Sequence, residues 1–213
     1  MSGSLKTIIL ADGLFPEHEI PLGYLRNGER IICCDGSADN LISAGYIPDA
    51  IVGDLDTVSE RVKEEFADRL YPDNDQETND LTKAVKWCIK KNYKDLVILG
   101  ATGKREDHTI GNISLLIEYA GEAEVIMVTD TGTIRPFLKS CTFSSVPGQQ
   151  ISIFSVDPET EITSRGLVYP LAGKKLRNWW EATLNEVSGD RVELELSGGA
   201  VIVFLKFPDS LPL

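Results

Sequence analysis

The chain has 213 residues, 42% of them hydrophobic, and a formal net charge of −12 from 33 acidic and 21 basic side chains. That length suffices for one large domain or two small ones with a real core, and that composition excludes a disordered chain. The acidic balance disfavours a nonspecific binder of nucleic acid or anionic lipid, so neither nucleic acid nor membrane is expected as a partner; a small anion remains admissible where a metal or a local basic cluster offsets the field.

The first half alternates short apolar runs with helical patterns. KTIILA (6–11), RIICC (30–34), DAIVG (49–53), DLVILG (95–100) and EVIMVT (124–129) are continuous apolar runs of strand length, the signature of strands buried on both faces of a parallel sheet. Between them, Ser37 is expected to cap a helix over SADNLISAG, with Ala38, Leu41 and Ile42 on its inner face and Gly45 as its stop. In DLTKAVKWCIKKN, Leu81, Ala84, Val85, Cys88 and Ile89 recur at helical spacing. TIGNISLLIEYAG places Ile110, Ile113 and Ile117 on one side of a further helix. Strand alternating with helix predicts an open, mostly parallel α/β sheet domain over 1–138. Beyond it the helical stripes vanish. ISIFSV, RVELELS and VIVFLKF read as strands separated by PGQ, SGD and SGGA turns, and Val192, Leu194 and Leu196 alternate with polar residues. An antiparallel β domain is expected over 139–213.

The four cysteines, Cys33, Cys34, Cys88 and Cys141, form no Cys-x-x-Cys pair and read as cytosolic thiols. The apolar part of MSGSLKTIIL is too short for a signal peptide, and no apolar run approaches the roughly 18 residues of a membrane span. A cytoplasmic location is expected.

Ligands of open α/β sheets sit at the carboxyl ends of the strands, and there the chain gathers charge. Asp35 follows IICC, Asp54 and Asp56 follow AIVG, DNDQETND leads into a helix at Asp80, and LVILG is followed by ATGKREDH. In an extended segment Asp54 and Asp56 would point the same way with Cα atoms about 7 Å apart. Two carboxylates so placed repel unless one takes a proton or a cation lies between them. Mg²⁺ prefers a few carboxylates with waters and phosphate oxygens, and Asp54 and Asp56 with a third acid such as Asp80 suit it. GATGKREDHTIGN is a glycine-bearing loop between strand and helix, able to cradle phosphate through its backbone N–H groups with Lys104 and Arg105 as positive charge. It is not a Walker A sequence, because Arg105 follows the Gly-Lys.

CDGSADNL, PDAIVGDLDTVS, DQETNDLTKAV and LGATGKREDHTIGNISLL, in that order, resemble the thiamine pyrophosphokinase family, and TSRGLVYPL and LNEVSGDRVELELSGGAVIVF resemble the family's C-terminal part. The resemblance implies an N-terminal α/β domain carrying MgATP, a C-terminal β-sandwich that binds thiamine and dimerises, and a homodimer with thiamine near the subunit interface. The activity it implies is transfer of a diphosphoryl group from ATP to the thiamine hydroxyl, with release of AMP. By the same resemblance Asp54, Asp56 and Asp80 match the metal-binding acids, and Asp35 an acid of the nucleotide end. Gly103, Lys104, Arg105, Asp107, His108 and Asn112 fall in the ATP-binding loop and the helix after it, and Gln76 and Asn185 match positions near thiamine. Asp54, Asp80 and Arg105 are the expected catalytic groups, with Asp80 or Asp54 accepting the hydroxyl proton and Arg105 stabilising charge on departing AMP. Trp180 is a candidate to stack on the thiamine cation, or both Trp179 and Trp180 are core or dimer contacts. Three positions depart from the family pattern: Lys104 in place of a second glycine, Val168 in place of a lysine, and Leu184 in place of a serine. Val168 and Leu184 keep open a diphosphotransferase acting on another alcohol, a pterin or thiamine analogue; a non-catalytic nucleotide- or thiamine-binding module is the second alternative.

Overall fold

A computed structural model describes residues 6–208, which form two compact units meeting between Asp130 and Thr131. The first unit runs β1 (Thr7–Leu10), α1 (Glu19–Asn27), β2 (Arg30–Cys34), α2 (Ser37–Ser43), β3 (Ala50–Gly53), α3 (Glu60–Glu65), β4 (Leu70–Pro72), α4 (Asp80–Lys90), β5 (Asp95–Leu99), α5 (Glu106–Tyr119) and β6 (Glu124–Val128). Its strands lie in the order β6-β5-β1-β2-β3-β4, every printed pairing parallel. Each residue of β1 and β3 is buried, as are the last four of β2 and β5. This is why the four segments read as unbroken apolar runs: both faces are covered, so no position alternates outward.

The helices account for the cover. α4 buries Leu81, Ala84, Val85 and Cys88, as its stripe predicts, and packs across β1, β2 and β3. Asn79 caps it, its side chain accepting from the Thr82 N–H at 2.9 Å. Two expectations change. Ser37 is the first residue of α2 rather than its cap; its hydroxyl donates to the Leu10 carbonyl at 2.8 Å and ties the helix to β1. In α5 the deep residues are Leu116 and Tyr119, while Ile110 is 54% exposed, so the inner face is rotated away from the isoleucine row.

The chain steps from β1 through β4 in one direction, then returns to the other side of β1 for β5. That reversal is a topological switch point, where the loops leaving two adjacent strands diverge and open a crevice. Here the loops first zip together. The N–H groups of Ala11, Gly13 and Leu14 donate to the carbonyls of Leu99, Gly100 and Thr102 at 2.8, 2.6 and 2.9 Å. Gly13 permits this approach, since a Cβ there would lie 2.2 Å from the Gly100 oxygen and 2.5 Å from the Thr102 oxygen.

The second unit comprises β7 (Gly132–Phe137), β8 (Cys141–Ser144), β9 (Gln150–Ser155), β10 (Glu161–Arg165), β11 (Lys174–Lys175), β12 (Asn185–Glu186), β13 (Arg191–Leu196) and β14 (Val201–Lys206). Two antiparallel sheets, β12-β9-β14-β7 and β11-β10-β13-β8, enclose a core that includes Ile151, Ile153, Ile162, Val192, Leu194 and Val201. Along β13, Val192 and Leu194 are buried while Glu195 is exposed, the alternation of a strand with one wet face. Sequence patterning places 131–138 with the first domain, but β7 pairs with β14 over six residues, from Gly132–Lys206 to Phe137–Val201, and belongs to the second unit.

Replacing Gly13 by Ala is expected to force the two loops apart, because both obstructing atoms are backbone. Such overpacking costs about 1–3 kcal/mol, a fall of about 3–10 °C in the thermal midpoint for a chain of this size. Gly23→Ala, in α1 with no atom within 4 Å of the added Cβ, is expected to hold or raise the midpoint. Thermal denaturation of the two variants checks this contrast.

Candidate active site at the carboxyl rim of the parallel sheet

The crevice beyond the strand ends is a pocket of about 410 Å³. Asp12 and Gly13 enter it from the end of β1, Asp35 from β2, Asp54, Asp56 and Thr57 from β3, and Thr102, Lys104 and Arg105 from the loop after β5. Asn79 and Asp80 come from the start of α4, and His108 and Asn112 from the first turns of α5.

Three carboxylates converge tightly. One oxygen from each of Asp35, Asp54 and Asp56 can be chosen so that all lie within 4.8 Å of one another. The backbone enforces this. Asp35 has φ +44° and Leu55 φ +64°, left-handed conformations that L-residues with side chains adopt at a cost. Asp54 and Asp56 therefore do not sit on an extended segment, as the sequence suggests. β3 ends at Gly53, the chain turns back at Leu55, and the Asp56 N–H donates to Asp54 Oδ1 at 3.3 Å. Gly53 must lack a side chain: a Cβ would lie 2.9 Å from the Cβ of Asp35 and 3.3 Å from Asp80 Oδ1.

Asp35 is 3% exposed. Its Oδ2 accepts the Thr57 hydroxyl at 2.7 Å, while Oδ1 is buried with no hydrogen-bond partner. Burial pushes its carboxyl up to about 6, with Asp80 and Asp54 adding to the rise and Thr57 opposing it. Asp54 is held below its ordinary value, chiefly by the Asp56 N–H, with smaller contributions from Lys83 and the Gln76 amide. Gln76 rides on an exposed loop shaped by side-chain turns, in which Asp75 accepts from the Glu77 N–H and the Thr78 hydroxyl, both at 2.9 Å.

The remaining rim residues are braced in pairs. Asp80 Oδ1 accepts from Lys83 Nζ at 2.9 Å, and Lys104 Nζ lies 2.9 Å from Asp12 Oδ1. Asn79 Nδ2 donates to Asn112 Oδ1 at 3.1 Å and Asn112 Nδ2 to the Ala101 carbonyl at 2.9 Å, a chain that joins the starts of α4 and α5 to the β5 loop. Arg105 binds Asp107 through Nε at 3.1 Å and Nη2 at 2.6 Å. The guanidinium, then the His108 N–H, holds the exposed Asp107 carboxyl down at about 2. Asp107 thus orients Arg105 and does not itself line the pocket. Gly103, at φ +93° against the Leu14 side chain, shapes the loop.

Of the residues expected at the site, Asp35, Asp54, Asp56, Asp80, Lys104, Arg105, His108 and Asn112 share one pocket. The tight trio contains Asp35 where the sequence suggests Asp80. Asn185 and Trp180 lie in the second unit. Asn185 is buried and fully engaged with backbone: Nδ2 donates to the Tyr169 carbonyl at 2.7 Å, and Oδ1 accepts from the N–H groups of Tyr169 at 3.2 Å and Glu186 at 2.8 Å. Trp180 is 73% exposed. Four contributors escape a reading of the sequence: Asp12, Thr57, Asn79 as the link to Asn112, and Lys83. Only Lys83 leaves a local signal, its spacing of three from Asp80 on one helix face.

Residues 23–129 match the family model described as thiamin pyrophosphokinase, catalytic domain, and residues 132–204 match thiamin pyrophosphokinase, substrate-binding domain. The chain belongs to the thiamin pyrophosphokinase family. The two matched segments fall on either side of the division between the units. Thiamine pyrophosphokinase of Bacillus subtilis is 35% identical over 119 residues, an alignment spanning 53% of this chain and 55% of that protein. Thiamine pyrophosphokinase 2 of rice (Oryza sativa subsp. japonica) is 27% identical over 196 residues, 77% of this chain and 73% of that one. The fold resembles the crystal structure of the Bacillus subtilis enzyme (TM-score 0.79, 24% identity, 96% of this chain and 100% of that one). It also resembles thiamin pyrophosphokinase from Candida albicans (TM-score 0.80, 19% identity, 95% and 90%).

Asp35 also makes stability depend on pH. Its folded value, about 6, exceeds that of an unfolded aspartate, about 3.9. The folded chain therefore binds more protons between the two, so this contribution is full below about pH 4 and is lost as pH rises through 6. In protein stripped of divalent cations, Asp35→Asn is expected to match the parent near pH 4 and to exceed it by about 1–3 kcal/mol at pH 7. Equal stability of the two proteins at pH 7, measured by denaturant melts in EDTA, would contradict it.

Proposed function

We propose that the chain catalyses Mg²⁺-dependent transfer of a diphosphoryl group from ATP to the hydroxyl of thiamine, giving thiamine diphosphate and AMP. The observation that carries the reading is the convergence of Asp35, Asp54 and Asp56, with the buried, unpartnered Oδ1 of Asp35 among them. A set of oxygen donors alone, each an acid, fits a hard divalent cation. Asp35, Asp54 and Asp56 would hold it, with Asp80 on the same rim. Bound there, Mg²⁺ supplies charge neutralisation for the phosphate oxygens.

The protein's own groups do the rest by placement and electrostatics, as phosphoryl transfer requires. The loop after β5 and the start of α5 present backbone N–H groups with Lys104, Arg105, His108 and Asn112 to the nucleotide phosphates. The thiamine oxygen attacks the β-phosphorus, and the bond from that phosphorus to the α–β bridging oxygen breaks. Arg105, braced by Asp107, stabilises the negative charge that leaves with AMP. Asp80 or Asp54 accepts the proton of the hydroxyl. Gln76, beside Asp54, and Asn185 are assigned to the thiamine side. Asn185 would act by shaping the backbone around Tyr169, because its own polar atoms are already engaged.

The second unit exposes Val168, Tyr169, Trp179, Trp180 and Leu184. Exposed apolar side chains of this kind suit an aromatic cation stacked on Trp180 and a second copy of the chain, and a homodimer with thiamine near the subunit interface is part of the reading. Among the described residues no helix is long and apolar enough to cross a membrane. All four cysteines are free, which fits a reducing, cytoplasmic setting.

The test is product analysis after incubation with ATP, Mg²⁺ and thiamine. Thiamine diphosphate and AMP in equal amounts are expected. ADP as product, or tight binding with no product over hours, would overturn the reading, and turnover of a pterin alcohol but not of thiamine would change the substrate. Asp54→Asn is expected to cut turnover by about 10²–10³-fold with the fold intact by circular dichroism.

A further inference from the structure

Lys83 lies where helix energetics argue against a lysine. It stands in the first turns of α4, where the helix dipole disfavours a cation, and its side chain is only 4% exposed. A buried ammonium is costly unless an acid compensates it. That acid is Asp80, whose Oδ1 lies 2.9 Å from Lys83 Nζ. Asp54 and Asp73 stand close enough to act on the same ammonium.

The cavity that Lys83 lines decides what it can do. It does not line the acid pocket. It lines a neighbouring cavity of about 440 Å³ with Val52, Tyr71, Asp73 and Trp87, while Asp80, which it binds, lines the acid pocket. A group so placed leaves the phosphates of a ligand in the acid pocket to other residues. It can hold one oxygen of Asp80 and offset the negative charge gathered on the rim.

We propose that Lys83 is a positioning residue for the acid rim: a built-in cation that fixes Asp80 by one oxygen and keeps the neighbouring carboxylates compatible in the folded chain. The inference rests on the reading of Asp35, Asp54 and Asp56 as a divalent-cation site. It predicts an unusual pair of effects. Removing the charge should loosen the metal-free protein yet make the rim more attractive to a divalent cation. A lysine that serves packing alone would weaken both.

The experiment uses the full chain, thermal midpoints in EDTA and Mn²⁺ titration as the probe. Lys83→Met is expected to lower the midpoint by about 4–10 °C and to tighten Mn²⁺ binding about tenfold. Lys83→Arg should keep both near the parent values. The double variant Lys83→Met/Asp80→Asn should recover most of the lost midpoint, since the uncompensated carboxylate is gone. It also carries the test should Lys83→Met alone not fold. Unchanged or weaker Mn²⁺ affinity in Lys83→Met, or no recovery in the double variant, overturns the proposal. So does a raised KM for ATP in Lys83→Arg at unchanged Mn²⁺ affinity, which would assign Lys83 to the nucleotide. If the parent protein itself binds no Mn²⁺, or Asp54→Asn binds it as well as the parent, the divalent-site reading fails instead.

Discussion

Mutual repulsion among carboxylates is the constraint around which the first unit is arranged. Three acids with oxygens inside 4.8 Å will not stay together unless something stronger holds them. The acids' own side chains cannot do it, since a free rotamer would swing each acid into water. The backbone does. Asp35 and Leu55 occupy left-handed conformations, and Gly53 clears the space between Asp35 and Asp80. Each such residue stores strain of about 1–3 kcal/mol and persists only where its surroundings over-determine it.

The parallel sheet supplies that determination. β2 and β3 are buried through their last residues, so neither strand can slip to relieve the acids at its end. The Asp35 N–H donates to the Val52 carbonyl at 3.0 Å, which extends the β2–β3 ladder into the site itself. On the other side, the loops after β1 and β5 are zipped through Gly13, and Asn79 and Asn112 lock the starts of α4 and α5 to the same rim. The candidate site at the strand ends is thus tied by hydrogen bonds to the core beneath it, which suits a reaction that depends on placement.

What was legible in the sequence follows from this. Strands buried on both faces write themselves as apolar runs, and α4 shows its stripe because one face is in the core and the other in water. The short elements left no such trace. α3 buries only Val62, and β4 is three residues with none fully buried, so neither needed a pattern. α1 begins at a His18 cap, its ring nitrogen accepting from the Ile20 N–H at 3.1 Å, a role that polar surroundings hide. The rim acids were legible as a set because their positions follow strand ends. Their geometry was not, since the reversal at Leu55 is set by tertiary contacts rather than by local preference: leucine has no affinity for a left-handed turn. Nothing local ties β7 to the second unit, because its partner β14 lies more than 60 residues away.

The pairing of charges at the rim bears on how an acidic protein can hold a polyanion. The three cations named at the rim each already have a carboxylate: Lys83 has Asp80, Lys104 has Asp12 and Arg105 has Asp107. Asp35, Asp54 and Asp56 lie within the same crevice, and the cation that acts on Asp54, Lys83, is itself bound to Asp80. A triphosphate alone would meet more negative than positive charge there, and the nearest guanidinium would be shared with Asp107. On the proposed function, binding of nucleotide and of a divalent cation would therefore be coupled, each making the field acceptable to the other. The exposed pairs, Lys104–Asp12 and Arg105–Asp107, hold their cations only weakly against water and salt, and can turn them to phosphate. In the Lys83–Asp80 pair the ammonium is 4% exposed and the carboxylate 37%, so Lys83 has almost no water to take in exchange for Asp80 and is the least free of the three cations to leave its acid.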